Sequence, residues 1–274
     1  MAMLNSTTAA AFLPQDYGKL IDLGIAEKSV ASQVATVLAT DKETMRLPVW
    51  VSDPSVGWTP ENTEIALSDG ATEEIVVVPS KVAGLVRISN EQADDTNPAV
   101  ADLVGKSLVR QIAGSIDKAF FSATTANGPS GLASVAFSSI DTDGTYLNLD
   151  PFVDAQALAV SNSAELSHFV VAPDVATGLA KVKETTGSNR GLLESAGDGT
   201  LLAGIPMIVS PHVANGEVWG LDKTQVFTVI RKGSTVERDR SAAFSADATL
   251  VRGIARVGFG FPNPAGVIRL HNAA

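Results

Sequence analysis

Residues 97–122 read NPAVADLVGKSLVRQIAGSIDKAFFS, and the pattern predicts one long helix. Asn97 can cap the free N–H groups of a first turn, and Pro98 behind it loses no intrahelical bond. Apolar residues recur as Val100, Val104, Leu108, Ile112, Ile116 and Phe120, with Leu103, Val109, Ala113 and Ala119 widening the stripe. Asp102, Lys106, Arg110, Gln111, Asp117 and Lys118 interrupt the apolar run, so the helix is amphipathic rather than membrane-spanning. At a rise of 1.5 Å per residue it spans roughly 37 Å. Gly105 and Gly114 each cost about 1 kcal/mol relative to Ala inside a helix, which predicts that another element approaches closely there. Taken alone, this is a long core helix of an α+β protein; its flanks decide what kind.

The chain has 274 residues, of which 45% are hydrophobic and 18% charged, the profile of a globular protein with one elaborate domain or two. No apolar run reaches the ~18 residues of a membrane helix, and the N-terminus lacks the basic start and apolar core of a secretory signal. With no Cys, disulfides and thiolate catalysis are excluded. A formal net charge of -10 argues against a sequence-reading nucleic-acid protein, although an acidic protein can enclose nucleic acid without gripping it.

Upstream of the helix, residues 1–15 are small and polar, either a frayed tail or an arm that orders on a partner. Asp16 to Thr40 has apolar spacings compatible with one or two short helices. The text then changes at Leu47 to LPVWVSDPSVGWTPENTEIALSDGATEEIVVV, broken by Pro48, Pro54, Gly57, Pro60 and Gly70, with strand-like pieces at 47–51 and 73–79. It contains no Lys or Arg, while Asp53, Glu61, Glu64, Asp69, Glu73 and Glu74 are acidic. Two strands without a third layer are marginal in water. The stretch is therefore either a solvated acidic hairpin or a flap supported by a second chain. Lys81 to Ser89 alternates as a strand, and Ser89 to Asp95 reads as a short helix or turn.

Downstream, TTANGPSGL is a loop, followed by a strand and hairpin turning at Asp143-Gly144. Asp150-Pro151 opens a helix of about ten residues, SHFVVA is a buried strand, and Pro173 opens another short helix. Residues 185–200 are a polar, Gly-rich loop, unusually long for a compact domain. The last seventy or so residues are strand after strand: LLAGIPMIVSP, GEVWGL, QVFTVIRKG, STVERDR, ATLVRGIARVGFGF and GVIRL. There the charge sign reverses, with Lys223, Arg231, Lys232, Arg238, Arg240, Arg252, Arg256 and Arg269 outnumbering Asp222, Glu237, Asp239 and Asp247.

Catalytic chemistry finds no support. His168, His212 and His271 stand beside no second ligand at metal spacing, and each reads as a packed or surface histidine. No nucleophile elbow, S-x-x-K or phosphate loop is present. Gly258-Phe259-Gly260 lacks the third glycine of a dinucleotide fingerprint, since Asn263 stands in its place. Asp141-Thr142-Asp143-Gly144 opens like a calcium loop but has no closing Glu, and reads better as a turn. No cofactor, no metal and no enzymatic activity are expected.

The order of the pieces resembles the major capsid proteins of tailed bacteriophages, whose fold also builds herpesvirus capsid floors and encapsulin shells. Trp58-Thr59-Pro60-Glu61, Ser68-Asp69, Pro79-Ser80-Lys81-Val82-Ala83 and Val86-Arg87-Ile88-Ser89-Asn90-Glu91 are similar to that family's flap and its exit, W-x-x-E … K-x-A … I-S-x-E. Asp94-Asp95 precedes the helix and Gly128-Pro129-Ser130-Gly131-Leu132 follows it, as in the family. Leu202-Ala203-Gly204-Ile205-Pro206-Met207 with Ser210-Pro211 resembles its L-x-G-x-P-V … S strand, and Val251-Arg252 to Arg256 its terminal V-R-x-x-x-R. Together these blocks span about residues 45–270.

The resemblance implies an α+β fold with an N-terminal arm (1–46), an extended β-hairpin loop or flap (47–80), a peripheral domain (81–131 and 221–274) with its spine helix at 97–122, and an α/β axial domain (132–220). It implies a capsid subunit that assembles with itself into pentamers and hexamers of an icosahedral shell around double-stranded DNA, in a virion formed in the bacterial host cytoplasm. Portal and a separate scaffolding or cement protein are the other expected partners; no membrane is. Expected contacts between subunits are Trp58, Glu61, Glu64, Ile65, Leu67, Glu73 and Glu74 on the flap, against Arg231, Lys232, Arg238, Arg240, Arg252 and Arg256. Some family members weld flap to neighbour through a lysine isopeptide bond, but a flap without lysine predicts none here. Because the arm begins almost at Met1, any scaffolding is expected to be a separate protein or already removed. The alternatives are an encapsulin-like bacterial compartment and, remotely, a soluble β-rich hydrolase or carbohydrate-binding protein.

Overall fold

A computed structural model of the chain describes residues 27–52, 54–65, 67–91, 100–143, 145–185, 190–191, 193–196, 199–231, 234–239 and 241–273. In chain order the elements are α1 (Val30–Val34), β1 (Thr36–Thr40), β2 (Met45–Ser52), β3 (Ala71–Val77), β4 (Ser80–Ser89), α2 (Val100–Phe121), β5 (Ser138–Asp141), α3 (Asp150–Ser161), β6 (His168–Val171), α4 (Pro173–Lys181), β7 (Glu194–Ala196), β8 (Gly199–Leu202), β9 (Ile205–Val209), β10 (Val218–Leu221), β11 (Phe227–Arg231), β12 (Thr235–Asp239), β13 (Ala248–Gly260) and β14 (Ile268–His271). None of the described helices is long and apolar enough to cross a membrane.

The predicted spine is α2, 22 residues long. The Asn97-Pro98 cap and the Asp94-Asp95 pair lie outside the described residues. Its apolar stripe is buried: Leu108, Ile112, Ile116 and Phe120 are all inside. They pack on a five-stranded sheet ordered β1-β11-β13-β12, with β4 on the other side of β13. The glycines that permit this contact are on the strands rather than the helix. A Cβ on Gly84 of β4 would come within 2.8 Å of Leu108, and one on Gly253 of β13 within 3.1 Å of Ile112. At Gly105 and Gly114 the nearest atoms would stand at 3.9 and 3.4 Å, ordinary contacts, so the expectation of a close approach at the helix glycines is overturned. Where α2 ends, Gly131 takes up the space: its Cβ would fall 2.1 Å from the Ala119 carbonyl oxygen and 2.4 Å from that of Phe120. That accounts for the glycine in the Gly128-Pro129-Ser130-Gly131-Leu132 block.

A second, seven-stranded sheet runs β5-β14-β10-β6-β9-β8-β7, with α3 and α4 supplied by the segments around Pro151 and Pro173. The turn between β8 and β9 has positive φ at both Ala203 (50°) and Gly204 (83°), the backbone of a tight two-residue hairpin. The residues 185–200 expected as a loop instead contribute the β7–β8 hairpin. Among the described residues no strand pairs with β5 across the turn expected at Asp143-Gly144; β5 instead pairs in parallel with β14 at the far end of the chain. That pairing also moves 268–271, grouped by sequence with the peripheral strands, into the same sheet as residues 138–209. One uninterrupted core serves both sheets, from Phe120, Val257 and Phe259 to Phe169, Trp219 and Leu270.

At the other end, the expected helices of 16–40 reduce to α1 within the described residues, followed by β1. The sequence TVLAT alternates in burial and pairs in parallel with β11, as β-branched residues at a sheet edge do. Asp117 of α2 fixes this segment. Its carboxylate, only 4% exposed, accepts hydrogen bonds from the Ser29 hydroxyl (2.6 Å), the Val30 N–H (3.1 Å) and the Ala31 N–H (3.0 Å). A side chain 87 residues away thus satisfies N–H groups that the first turn of α1 leaves open.

Candidate assembly interface

Among the described residues β2 and β3 pair only with each other, in an antiparallel ladder from Met45↔Val77 to Ser52↔Ala71. The pair lies in the stretch expected to form the flap. Its root is fixed to the five-stranded sheet by a small apolar cluster in which Leu47 and Val77 bury against Val229, with Met45, Ile75, Leu38 and Phe227 around them. The root lies on the face of the sheet opposite α2. Gly258 and Gly260 make room for it, since a Cβ at Gly258 would meet Val77 at 2.7 Å and one at Gly260 would meet Leu47 at 2.8 Å. Between them Phe259 points the other way and packs edge-on against Phe120 at 5.1 Å. The pair that fails as a nucleotide-binding motif is thus a seat for the flap. Gly258→Val is expected to cost about 1–3 kcal/mol, the usual cost of overpacking. It should also speed proteolysis of residues 54–70; an unchanged melting temperature and cleavage rate would contradict a tight seat.

The tip of the flap has little holding it to its own subunit. Trp58 is 105% exposed, Leu67 102% and Ile65 75%, with Val56 also in solvent. Within the tip, the Thr63 N–H donates to the Pro60 carbonyl and the Ser68 hydroxyl to the Ser55 carbonyl. Glu61 and Glu64 are exposed in the same tip, and Glu73 is exposed on β3, opposite Val49 in the ladder. Glu74 differs: it forms an ion pair with Arg46 across the ladder at 2.8 Å, so its charge is matched within the subunit. An exposed apolar group of this size on a projecting hairpin marks an interaction surface.

The cations are divided between two faces rather than gathered on one. On the flap face of the five-stranded sheet, β13 presents Leu250, Arg252, Ile254 and Arg256, and β4 presents Arg87, Leu85, Ala83 and Lys81 directly opposite them. Arg256 and Lys81 are cross-strand partners, and Arg231 follows Ile230, the partner of Val257, on β11. Like charges facing each other across a ladder destabilise it, which leaves this row in want of an anionic partner. Arg252 is paired with Glu237 of its own subunit. Arg238 pairs in register with Val251, whose side chain is buried toward α2, so it lies on the helix side. Lys232 and Arg240 lie outside the described residues. Arg269 belongs elsewhere: it pairs with Glu217 and stacks on Phe137 and Trp219 in the seven-stranded sheet.

Lys81, Arg87 and Leu85, which is 63% exposed, were not among the expected contacts. Their signal is the alternation of KVAGLVRIS, in which Val82, Val86 and Ile88 face inward and the odd-numbered residues face out.

No cluster of metal-ligating side chains occurs among the described residues. The Asp141 carboxylate accepts the Asp143 and Ala273 N–H groups; the Asp143 bond, foremost, holds it below the usual carboxylate range. It makes a turn rather than a calcium site. His168 contacts the Ser167 hydroxyl, and burial pushes its imidazole below the usual histidine value. His271 lies against Phe137.

α2 thus packs on one face of the five-stranded sheet, and the root of the β2–β3 hairpin is seated on the other. The phage capsid family matches the chain over residues 9–272, and the chain belongs to that family. It is a capsid protein, a structural subunit of a bacteriophage virion shell. Among solved structures, the capsid of a native GTA particle computed with C5 symmetry has a TM-score of 0.72 at 20% identity, over 90% of this chain and 91% of that one. A chain of Mycobacterium phage Adephagia gives 0.72 at 15% identity, covering 99% and 94%. One of Microbacterium phage Oxtober96 gives 0.71 at 16% identity, covering 89% and 91%. These likenesses carry the fold. No curated protein matches the chain.

Proposed function

We propose that this chain is the major head protein of a tailed bacteriophage, assembling with itself into pentamers and hexamers of an icosahedral shell around double-stranded DNA. Assembly takes place in the host cytoplasm, with portal and a scaffolding or cement protein as separate partners. The division into arm, flap, peripheral domain and axial domain is part of the same reading. The observation that carries it is the flap: a root seated in its own sheet and a tip whose Trp58, Ile65 and Leu67 are in solvent. In the assembly the tip of one copy lies on the flap face of a neighbour's sheet, where Leu85 and Ile254 accompany Lys81, Arg87 and Arg256. Sign complementarity steers and orients the encounter, while exposed ion pairs contribute only ~0–1 kcal/mol each. Apolar burial supplies most of the holding energy, and repetition of one modest contact closes the shell.

Electron microscopy of the purified protein tests this reading. Shells hundreds of ångströms across, with nuclease-protected DNA in particles from infected cells, are the expected result. Shells filled with cargo protein would favour an encapsulin-like compartment. A lone monomer under every solution condition would contradict both.

A further inference from the structure

The side of α2 turned away from the flap carries a second set of cations, outside the contacts proposed between subunits. A groove of about 480 Å³ is lined by Lys28, Arg110, Lys118, Gly114, His212 and Pro211. Arg110, Gly114 and Lys118 of this lining follow at intervals of four along the helix, and Lys106 stands one turn beyond the groove, the row covering about 18 Å at 1.5 Å per residue. His212 lies beside the helix there, its Nε2 3.4 Å from where a Cβ at Gly114 would stand. The carboxylate in the lining is Asp117, and its oxygens are taken by Ser29, Val30 and Ala31. Among the described residues no ion pair engages Lys28, Lys106, Arg110 or Lys118. In a chain of net charge -10, an unmatched cationic line in a groove is a local reversal of sign.

We propose that this groove binds the phosphate backbone of the enclosed double-stranded nucleic acid, an inference that rests on the capsid reading above. The chemistry separates it from the flap face. There the cations alternate with Leu85 and Ile254, a surface suited to an acidic and apolar protein segment; the groove has only Val30, Ala113 and Pro211 as apolar lining, and no aromatic anchor of the kind protein interfaces use. A duplex presents one charge per about 1.7 Å of axis, so 18 Å of it offers roughly ten phosphates. The contact is independent of base sequence. The two faces of the sheet therefore serve two partners, neighbouring flaps on one side and the packaged polymer on the other.

The test is fluorescence anisotropy of a labelled 20-base-pair duplex against the full chain in unassembled form, over a series of salt concentrations. Neutralising about three phosphates gives the wild type a slope of log affinity against log salt near −3. Lys28→Gln/Arg110→Gln/Lys118→Gln should lose at least tenfold in affinity at low salt and most of that slope, about one per cation removed. Lys81→Gln/Arg87→Gln/Arg256→Gln, with the same change of net charge on the flap face, should stay within twofold of wild type. Equal losses in both variants, no loss in the groove variant, or displacement of the duplex by poly-glutamate at equal charge would overturn the proposal. Shell formation by the groove variant is scored separately by electron microscopy. If shells form while the groove variant binds duplex like wild type, only the groove assignment falls; if no variant and no wild type ever forms shells, the capsid reading falls.

Discussion

Trp58→Ala is expected to abolish shell formation while leaving the subunit folded. The indole touches nothing in its own chain that would miss it, being fully in solvent, so circular dichroism and the thermal midpoint should match the wild type. In the proposed assembly it is a large apolar group that the tip offers to a neighbour. An aromatic of this size buries roughly 200 Å², or about 5 kcal/mol at 25 cal/mol per Å². No sum of rim ion pairs at ~0–1 kcal/mol each replaces that. With each subunit proposed to give one flap and receive one, one such contact is lost per copy throughout the shell. Particle counts by electron microscopy should fall to background, and normal particles from this variant would mean the tip lies outside the interface.

Asp117→Ala is the second large effect, and it acts on the subunit itself. The substitution leaves the Ser29 hydroxyl and the Val30 and Ala31 N–H groups without the carboxylate they share. Ser29 and Ala31 are themselves buried, so water cannot readily take its place. Hydrogen bonds to a charged group contribute about 1.5–3 kcal/mol each, and orphaned donors add a desolvation cost; together roughly 3–5 kcal/mol is at stake. For a chain of this size that is a drop on the order of 10 °C in melting temperature. Asp117→Asn keeps one acceptor oxygen and should fall between. Protease cleavage near Lys28 should rise in parallel, because α1 and β1 are what the carboxylate holds down. A melting curve indistinguishable from wild type would show that Asp117 is not the clamp.

Much of the fold was written locally. The spine is legible because its apolar residues recur at helical spacing for more than five turns, and the strands after Leu201 because their residues alternate. The flap could be read from its strand pieces, its breaks and its single charge sign. What escaped is whatever depends on a partner distant in sequence. Nothing near Ser29 announces that Asp117 will cap the next turn. β1 looked helical because five residues carry too little periodicity to choose, and the choice was made by the edge of β11. Gly258 and Gly260 carry no label for the flap root they receive, whereas Gly105 and Gly114 looked demanding and proved to have room.

The candidate interface divides in the same way. The flap's acidic and apolar residues are contiguous in sequence and were readable together. The basic residues are not: alternation puts Arg238 on one face and Arg252 and Arg256 on the other, and only the register with β4 shows Lys81, Leu85 and Arg87 beside them. Local pairing then removes Glu74 and Arg252 from the unmatched set. Composition reported a basic C-terminal third, whereas the folded chain offers two separate basic surfaces with different surroundings.

The central claim is that the flap tip of one copy meets the sheet face of another through opposite charge and shared apolar burial. Charge exchange read by electron microscopy tests it most directly. Glu61→Lys/Glu64→Lys alone should yield folded subunits and no shells, and adding Lys81→Glu/Arg256→Glu in the same chain should bring shells back. Abundant shells from the first variant, or none from the combined one despite a wild-type melting curve, would contradict the account.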